Sequence, residues 1–257
     1  MINAKDSQNT FYILDKKNDV PIVFIHGVGL NHKIWEPQVN VFKNTFLAYD
    51  ILGHGKTPLN KENITFDDFS NQLINLIDEL NIKKIHLVGF SIGSLIARNF
   101  ASKYSDRLES LILLCSIFKR TEKQQQIVKD RFELVKKSKS LSKQALKRWF
   151  TDEYLEKNPN TYNKISSILE QNGIENFLKI YELFVNHKDN EQFEKIKTKT
   201  LIMTGEGDIG STPEMSVNLS KVINNSNVKI ISKGKHLCSI ECADDVNMAI
   251  KKHIQND

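Results

Sequence analysis

Cysteine is nearly absent from this chain. Its 257 residues hold only Cys115, Cys238 and Cys242, too few and too irregularly spaced for a disulfide framework or a zinc site. Long apolar runs are missing too, so no segment reads as a membrane span. The first residues, Met1-Ile2-Asn3-Ala4-Lys5-Asp6, lack the basic region and apolar block of a signal peptide. Together these absences point to a reducing cytoplasm. There are no internal repeats and no low-complexity linkers. The basic charge comes without aromatic interleaving or a binding motif, which argues against a nucleic-acid partner. Glycine is also scarce, 11 in all, so a motif that places two of them within five residues is informative.

What is present suits an α/β protein. Hydrophobic residues make up 40% of the chain, enough for a sizeable core. Strand-like runs at Phe11–Asp15, Pro21–His26, Phe46–Asp50, Lys84–Gly89, Leu111–Cys115, Lys199–Thr204 and Val228–Ser232 alternate with helix-like segments. Several are continuously apolar, as strands covered on both faces are. The pattern predicts a mostly parallel central sheet with helices on both faces. Thr65 with Asp67 and Asp68 marks one helix start, and Thr212-Pro213-Glu214 another. A last helix is expected over Asp244–Ile254. The alternation stops between about Phe118 and Lys197, where several helices follow one another with breaks at Asn158-Pro159-Asn160 and Gln171-Asn172-Gly173. We read residues 1–117 and 198–257 as the α/β core and residues 118–197 as an inserted helical cap over the sheet's ligand-binding edge.

Gly89-Phe90-Ser91-Ile92-Gly93 lies between an apolar run and a helical one. Strand, G-x-S-x-G, helix is the context of a nucleophile elbow, a sharp turn that exposes the serine hydroxyl at the end of a sheet. A serine hydroxyl needs a base to take its proton, and that base needs a group to orient it. In an elbow of this kind the partners follow in the order Ser, Asp or Glu, His, from loops after later strands. Asp208, in Gly205-Glu206-Gly207-Asp208, and His236, in Lys233-Gly234-Lys235-His236, fit that order. Glu206 is the rival acid in the same loop. His86, His187 and His253 read as structural or surface residues, while His32 could approach the cleft. An oxyanion hole needs two N–H donors. Ile92 supplies one; Val28, in the loop His26-Gly27-Val28-Gly29, is assigned the other, with Gly29 as fallback. His26 is expected to organise that loop. Gly53-His54-Gly55-Lys56-Thr57-Pro58 lacks phosphate-loop spacing and reads as a structural turn.

These residues carry a resemblance. His26-Gly27-Val28-Gly29-Leu30, Trp35-Glu36-Pro37-Gln38, Asp50 with Gly53-His54-Gly55, the elbow at Ser91, Gly205-Glu206-Gly207-Asp208 and Lys235-His236 resemble, in order and over nearly the whole chain, the α/β-hydrolases with a single HG oxyanion motif. Within that superfamily the chain most resembles the 3-oxoadipate enol-lactonases, through Arg148-Trp149-Phe150-Thr151 and Thr212–Val222. It departs from them at His26-Gly27, which that group often lacks. The cap and the His-Gly-x-Gly-Leu-Asn start are also similar to pimeloyl-acyl-carrier methyl-ester esterases.

The implied activity is hydrolysis of a carboxylic ester or lactone through Ser91, Asp208 and His236, with no metal or organic cofactor. The partner is a small-molecule substrate, with neither nucleic acid nor membrane involved, and the protein is a monomer or homodimer. Gly27, Gly29, Trp149 and Phe150 are candidate substrate-binding residues. The net charge of +5 is concentrated in Lys119–Arg148, with 11 basic and 3 acidic residues. That stretch reads either as the solvated face of cap helices or as an attractor for an acidic substrate or carrier protein. Two other classes share the same residues: a C–C bond hydrolase of aromatic ring-cleavage products, and a non-enzymatic ligand receptor. Dehalogenases and epoxide hydrolases are excluded, since they use aspartate where Ser91 stands. The three cysteines read as small apolar fillers.

Overall fold

The computed structural model describes residues 1–138 and 142–255. Eight strands form one sheet: β1 (Ile2–Lys5), β2 (Phe11–Asp15), β3 (Ile22–Ile25), β4 (Phe46–Tyr49), β5 (Ile85–Phe90), β6 (Leu108–Leu114), β7 (Thr200–Gly205) and β8 (Ser226–Ile231). Their order across the sheet is β1-β2-β4-β3-β5-β6-β7-β8. The pairs β1–β2 and β2–β4 are antiparallel, and every later pair is parallel. Seven of the strands sit where the apolar runs predict. β1 has no such run: three of its four residues are exposed, and it is held by backbone pairing to β2.

The continuous apolar character of the inner strands has a direct cause. In β3, Val23 and Ile25 enter one core cluster, while Ile22 and Phe24 enter another. Successive side chains alternate between faces, so a strand covered on both sides needs an apolar residue at every position. On one face lie α2 (Phe66–Glu79) and α3 (Ile92–Lys103), contributing Phe69, Leu73, Leu95 and Phe100. On the other lie α1 (Glu36–Val39), α10 (Cys238–Glu241) and α11 (Ala243–Ile254), with Val246 and Ile250 buried. Thr65 caps α2 by accepting from the Asp68 N–H while the Asp68 carboxylate accepts from the Thr65 N–H, a reciprocal capping box. Thr212 caps α9 (Pro213–Ser220), which has proline at its start.

Between β6 and β7 the chain forms α4 (Glu122–Ser138), α5 (Ser142–Trp149), α6 (Asp152–Lys157), α7 (Pro159–Gln171) and α8 (Ile174–Val185). The predicted breaks fall at the α6–α7 and α7–α8 junctions. Leu146, Phe150 and Ile165 of this block join the second core cluster. Val128 and Phe132 of α4 pack on Phe177 and Tyr181 of α8 as a separate third cluster.

Arg98, wholly buried in α3, holds the two ends of the block. Its guanidinium donates to the Ile117 carbonyl at 2.7 Å, to Asp189 Oδ1 at 2.7 Å and to Glu191 Oε2 at 2.8 Å. His187, Asp189 and Glu191 have the donor types of a cation site, but the two carboxylates already face this guanidinium.

Candidate active site

The elbow is formed by close packing at its two glycines. A Cβ on Gly93 would lie 2.5 Å from the Ile25 carbonyl oxygen, and one on Gly89 would lie 2.2 Å from that of Gly93. Only glycine lets α3 start this close to the ends of β3 and β5. Between them Ser91 takes φ 56° and ψ −119°, a strained conformation for a residue with a side chain. Its N–H still bonds the Leu114 carbonyl at 2.9 Å, so the strain is held by the sheet.

The structure brings Ser91, His236 and Asp208 into one hydrogen-bonded chain. His236 Nε2 lies 3.2 Å from Ser91 Oγ, and His236 Nδ1 lies 2.7 Å from Asp208 Oδ2. A carboxylate can only accept, so Nδ1–H donates to Asp208, and Nε2 is left to accept the serine proton. The other Asp208 oxygen accepts the N–H groups of Gly210 at 2.8 Å and Ser211 at 3.0 Å. Burial would raise the Asp208 pKa, but the imidazole and these N–H groups hold it below the usual carboxylate value. Burial pushes His236 down, and the Asp208 carboxylate more than offsets this, so its pKa is raised overall. Glu206 points elsewhere, accepting from Ser232 Oγ and the Lys233 N–H.

The early loop is built by two neutral histidines. His26 Nδ1 lies 2.8 Å from the Gly27 carbonyl, and its Nε2 accepts the Ile51 N–H at 3.1 Å. His54 Nε2 accepts the Gly29 N–H at 2.8 Å. Each ring must keep one nitrogen unprotonated to accept, and burial lowers their pKa values to about 4 and about 3. The Gly29 N–H is therefore already engaged. The Val28 N–H has no hydrogen bond among the described residues, and the N–H of Ile92, first in α3, has no intrahelical acceptor. His32 turns from the cleft to Asp50 Oδ1, 2.7 Å away.

A cavity of about 220 Å³ opens beside Ser91 and His236, with Val28 and Trp149 in its wall. Of the four candidate substrate-binding residues, only Trp149 lines it. Gly27 packs under Phe90, Gly29 against Leu169 and Phe177, and Phe150 stacks on Tyr154 in the core. Arg120, Arg131 and Arg148 also line the cavity; Arg148 opens the Arg148-Trp149-Phe150-Thr151 run, but the sequence did not separate these three from the rest of the basic stretch. The basic stretch thus divides by residue type: Lys119, Lys123, Lys129, Lys136, Lys137 and Lys147 are exposed, whereas these three arginines are half-buried. Helical spacing was the available signal, since Gln124, Ile127, Val128 and Arg131 share one face of α4. Residues 139–141 of the stretch lie outside the described residues. Cys115 and Cys238 are buried fillers; the Cys115 thiol donates to the His236 carbonyl at 3.1 Å.

A model of the alpha/beta hydrolase fold family matches residues 20–242. The chain belongs to the alpha/beta hydrolase fold family. This family member is 25% identical over 255 residues to the (E)-2-((N-methylformamido)methylene)succinate hydrolase of Acinetobacter baylyi, covering 97% of this chain and 95% of that protein. It is 24% identical over 256 residues to 3-oxoadipate enol-lactonase 2 of the same organism, covering 97% and 94%. Among solved structures, the enol-lactonase from Burkholderia xenovorans superposes with a TM-score of 0.84 at 22% identity, over 96% of this chain and 97% of that one. As a hydrolase, the protein has the fold and the family in which a serine elbow opens at the carboxyl ends of parallel strands. None of its described helices is long and apolar enough to cross a membrane.

Proposed function

We propose that this protein is a serine hydrolase that cleaves a carboxylic ester or lactone through an acyl-enzyme. The observation that carries the reading is the chain from Ser91 Oγ through His236 to Asp208, set at a strained elbow beside a cavity. Ser91 Oγ attacks the carbonyl carbon as His236 Nε2 takes its proton. The developing oxyanion is held by the Val28 and Ile92 N–H groups. His236 then gives its proton to the leaving oxygen as the C–O bond breaks. In the second half, His236 takes a proton from water, which attacks the acyl-serine. Collapse of that intermediate returns the proton to Ser91 and releases the acid. Asp208 holds the imidazole in the required tautomer and stabilises the imidazolium. Residues 118–197 act as the cap that shapes the substrate space, and the substrate is a small molecule.

The test is Ser91→Ala with p-nitrophenyl acetate. The reading expects a loss of at least about 10⁴-fold in kcat with an unchanged circular dichroism spectrum. Hydrolysis within tenfold of the parent protein would overturn it.

A further inference from the structure

The link from α8 to β7 carries the run His187-Lys188-Asp189-Asn190-Glu191. Lys188 and Asn190 are exposed, while the side chains of His187, Asp189 and Glu191 converge. His187 Nε2 lies 3.5 Å from Asp189 Oδ1 and 3.5 Å from Glu191 Oε1. The side chains of His187 and Glu191 are each only 4% exposed. Both His187 Nε2 and Glu191 Oε1 nonetheless have no hydrogen-bond partner among the described residues.

The other polar atoms of the cluster are engaged. Arg98 Nη2 donates to Asp189 Oδ1 and Glu191 Oε2, at 2.7 and 2.8 Å, and the Lys119 N–H donates to Asp189 Oδ2 at 2.7 Å. One guanidinium faces two carboxylates, so one negative charge is left over beside the two open atoms. Phe66, at the start of α2, meets the imidazole edge-on with ring centroids 5.0 Å apart.

Two cations could balance that charge, a proton on His187 or a metal ion. The separations decide between them. An N–H···O bond spans about 2.7–3.2 Å, so 3.5 Å to both carboxylates is long for either. A tetrahedral zinc ion with bonds of about 2.0–2.2 Å sets its donor atoms about 3.3–3.6 Å apart. Imidazole with carboxylates favours zinc and its transition-metal neighbours over magnesium and calcium, which take oxygen donors. Arg98 would then brace both ligating carboxylates from outside, as such ligands are usually braced. An open cleft of about 430 Å³, lined by His187 and Asp189 with Glu122 and Gln125, leads to the cluster and leaves room for water as a fourth ligand. Lys119, Arg120, Lys129 and Lys188 also line this cleft and oppose a cation, but the three lysines are exposed and screened by salt.

We propose that His187, Asp189 and Glu191 form a structural binding site for a zinc-type dication. None of the three lines the cavity beside Ser91, and the site is independent of the hydrolase reading. The ion fixes the link after α8 against Arg98 and the Lys119 backbone, and so clamps both ends of the helical block.

Untagged protein, stripped with EDTA and dialysed, is titrated with zinc by calorimetry and with cobalt by absorption. The expected result is one equivalent of zinc bound. A hundredfold excess of zinc over its dissociation constant should raise the melting temperature by about 5 °C. Cobalt should give the visible bands of a tetrahedral ion without a thiolate band in the near ultraviolet. His187→Gln and Glu191→Gln should each weaken zinc binding at least tenfold. Glu191→Gln keeps an acceptor for Arg98, so it decides the matter if His187→Gln fails to fold. Cys115, Asp208 and His236 are the other cluster of metal-binding donor types among the described residues, so Cys115→Ala is the control and should bind zinc like the parent. Zinc binding unchanged in the Gln variants, a thiolate band with loss of binding in Cys115→Ala, equal binding of magnesium, or no binding at millimolar zinc overturns the site.

Discussion

Thr151 donates both its N–H, at 2.9 Å, and its hydroxyl to Glu241 Oε1. The other oxygen of Glu241 accepts the Lys235 N–H at 3.1 Å, one residue before His236. One carboxylate thus ties the α5–α6 junction to the histidine loop, and the Leu237 N–H reinforces the tie at the Trp149 carbonyl, 2.9 Å away. Glu241 is therefore expected to position His236. Glu241→Ala should lower kcat for p-nitrophenyl acetate by about 10- to 100-fold while KM changes little, since small displacements of a catalytic base are that costly. A drop in melting temperature with kcat intact would show a structural role only.

Asp208 and Glu206 share a loop but face different groups. Asp208→Asn should reduce kcat by roughly 10⁴-fold, because the amide offers the imidazole a mixed donor and acceptor and no negative charge. The His236 pKa, followed by NMR of the ring protons, should fall in that variant, since the carboxylate is what raises it. Glu206→Gln, whose side chain among the described residues bonds Ser232 and Lys233, should leave kcat within about threefold. A larger effect at Glu206 than at Asp208 would move the acid.

Stability should fall on mild acidification. His26 and His54 are held neutral, with pKa values of about 4 and about 3 against 6.5 when free. Unfolding lets each take up a proton below pH 6.5. Their contribution is therefore complete above pH 6.5 and lost as the pH falls toward the folded values. The slope is about 1.4 kcal/mol per pH unit for each histidine. Thermal melts from pH 7 to pH 4 should show a declining midpoint in the parent protein. His54→Gln keeps an acceptor for the Gly29 N–H without the titration, and its decline should be shallower. Parallel curves for the two proteins would refute the assignment.

Arg98 grips the entry and exit of the helical block from inside α3. Arg98→Met leaves the Asp189 and Glu191 carboxylates without their cation and the Ile117 carbonyl without its donor. Removing one partner of a buried pair costs about 3–5 kcal/mol, so the melting temperature should drop by about 10 °C. A change of less than about 2 °C would mean that the block is held by its apolar contacts alone.

Much of this was legible in the chain itself. An inner strand buried on both faces must be apolar throughout, so strands β3 to β7 were recognisable within a few residues, as were the partly apolar runs of β2 and β8. β1 was not, because three of its four residues are exposed and it carries no apolar run. The G-x-S-x-G stretch was readable because a close approach of α3 to β3 and β5 tolerates no Cβ at Gly89 or Gly93.

By itself the sequence determined the order of strands and helices, the elbow at Ser91 and the later loops that carry Asp208 and His236. These follow from local rules of periodicity, capping and turn chemistry, which act over a few residues. Which N–H groups stay free, which histidines are neutral, that His32 turns to Asp50 and that arginines rather than lysines face the cavity were decided only by tertiary structure. Each depends on groups brought together from distant parts of the chain: His54 on Gly29, Arg98 on Asp189, Arg120 on the end of α8. Burial is a property of the packed molecule, so no local pattern could assign it to Arg120 over Lys119.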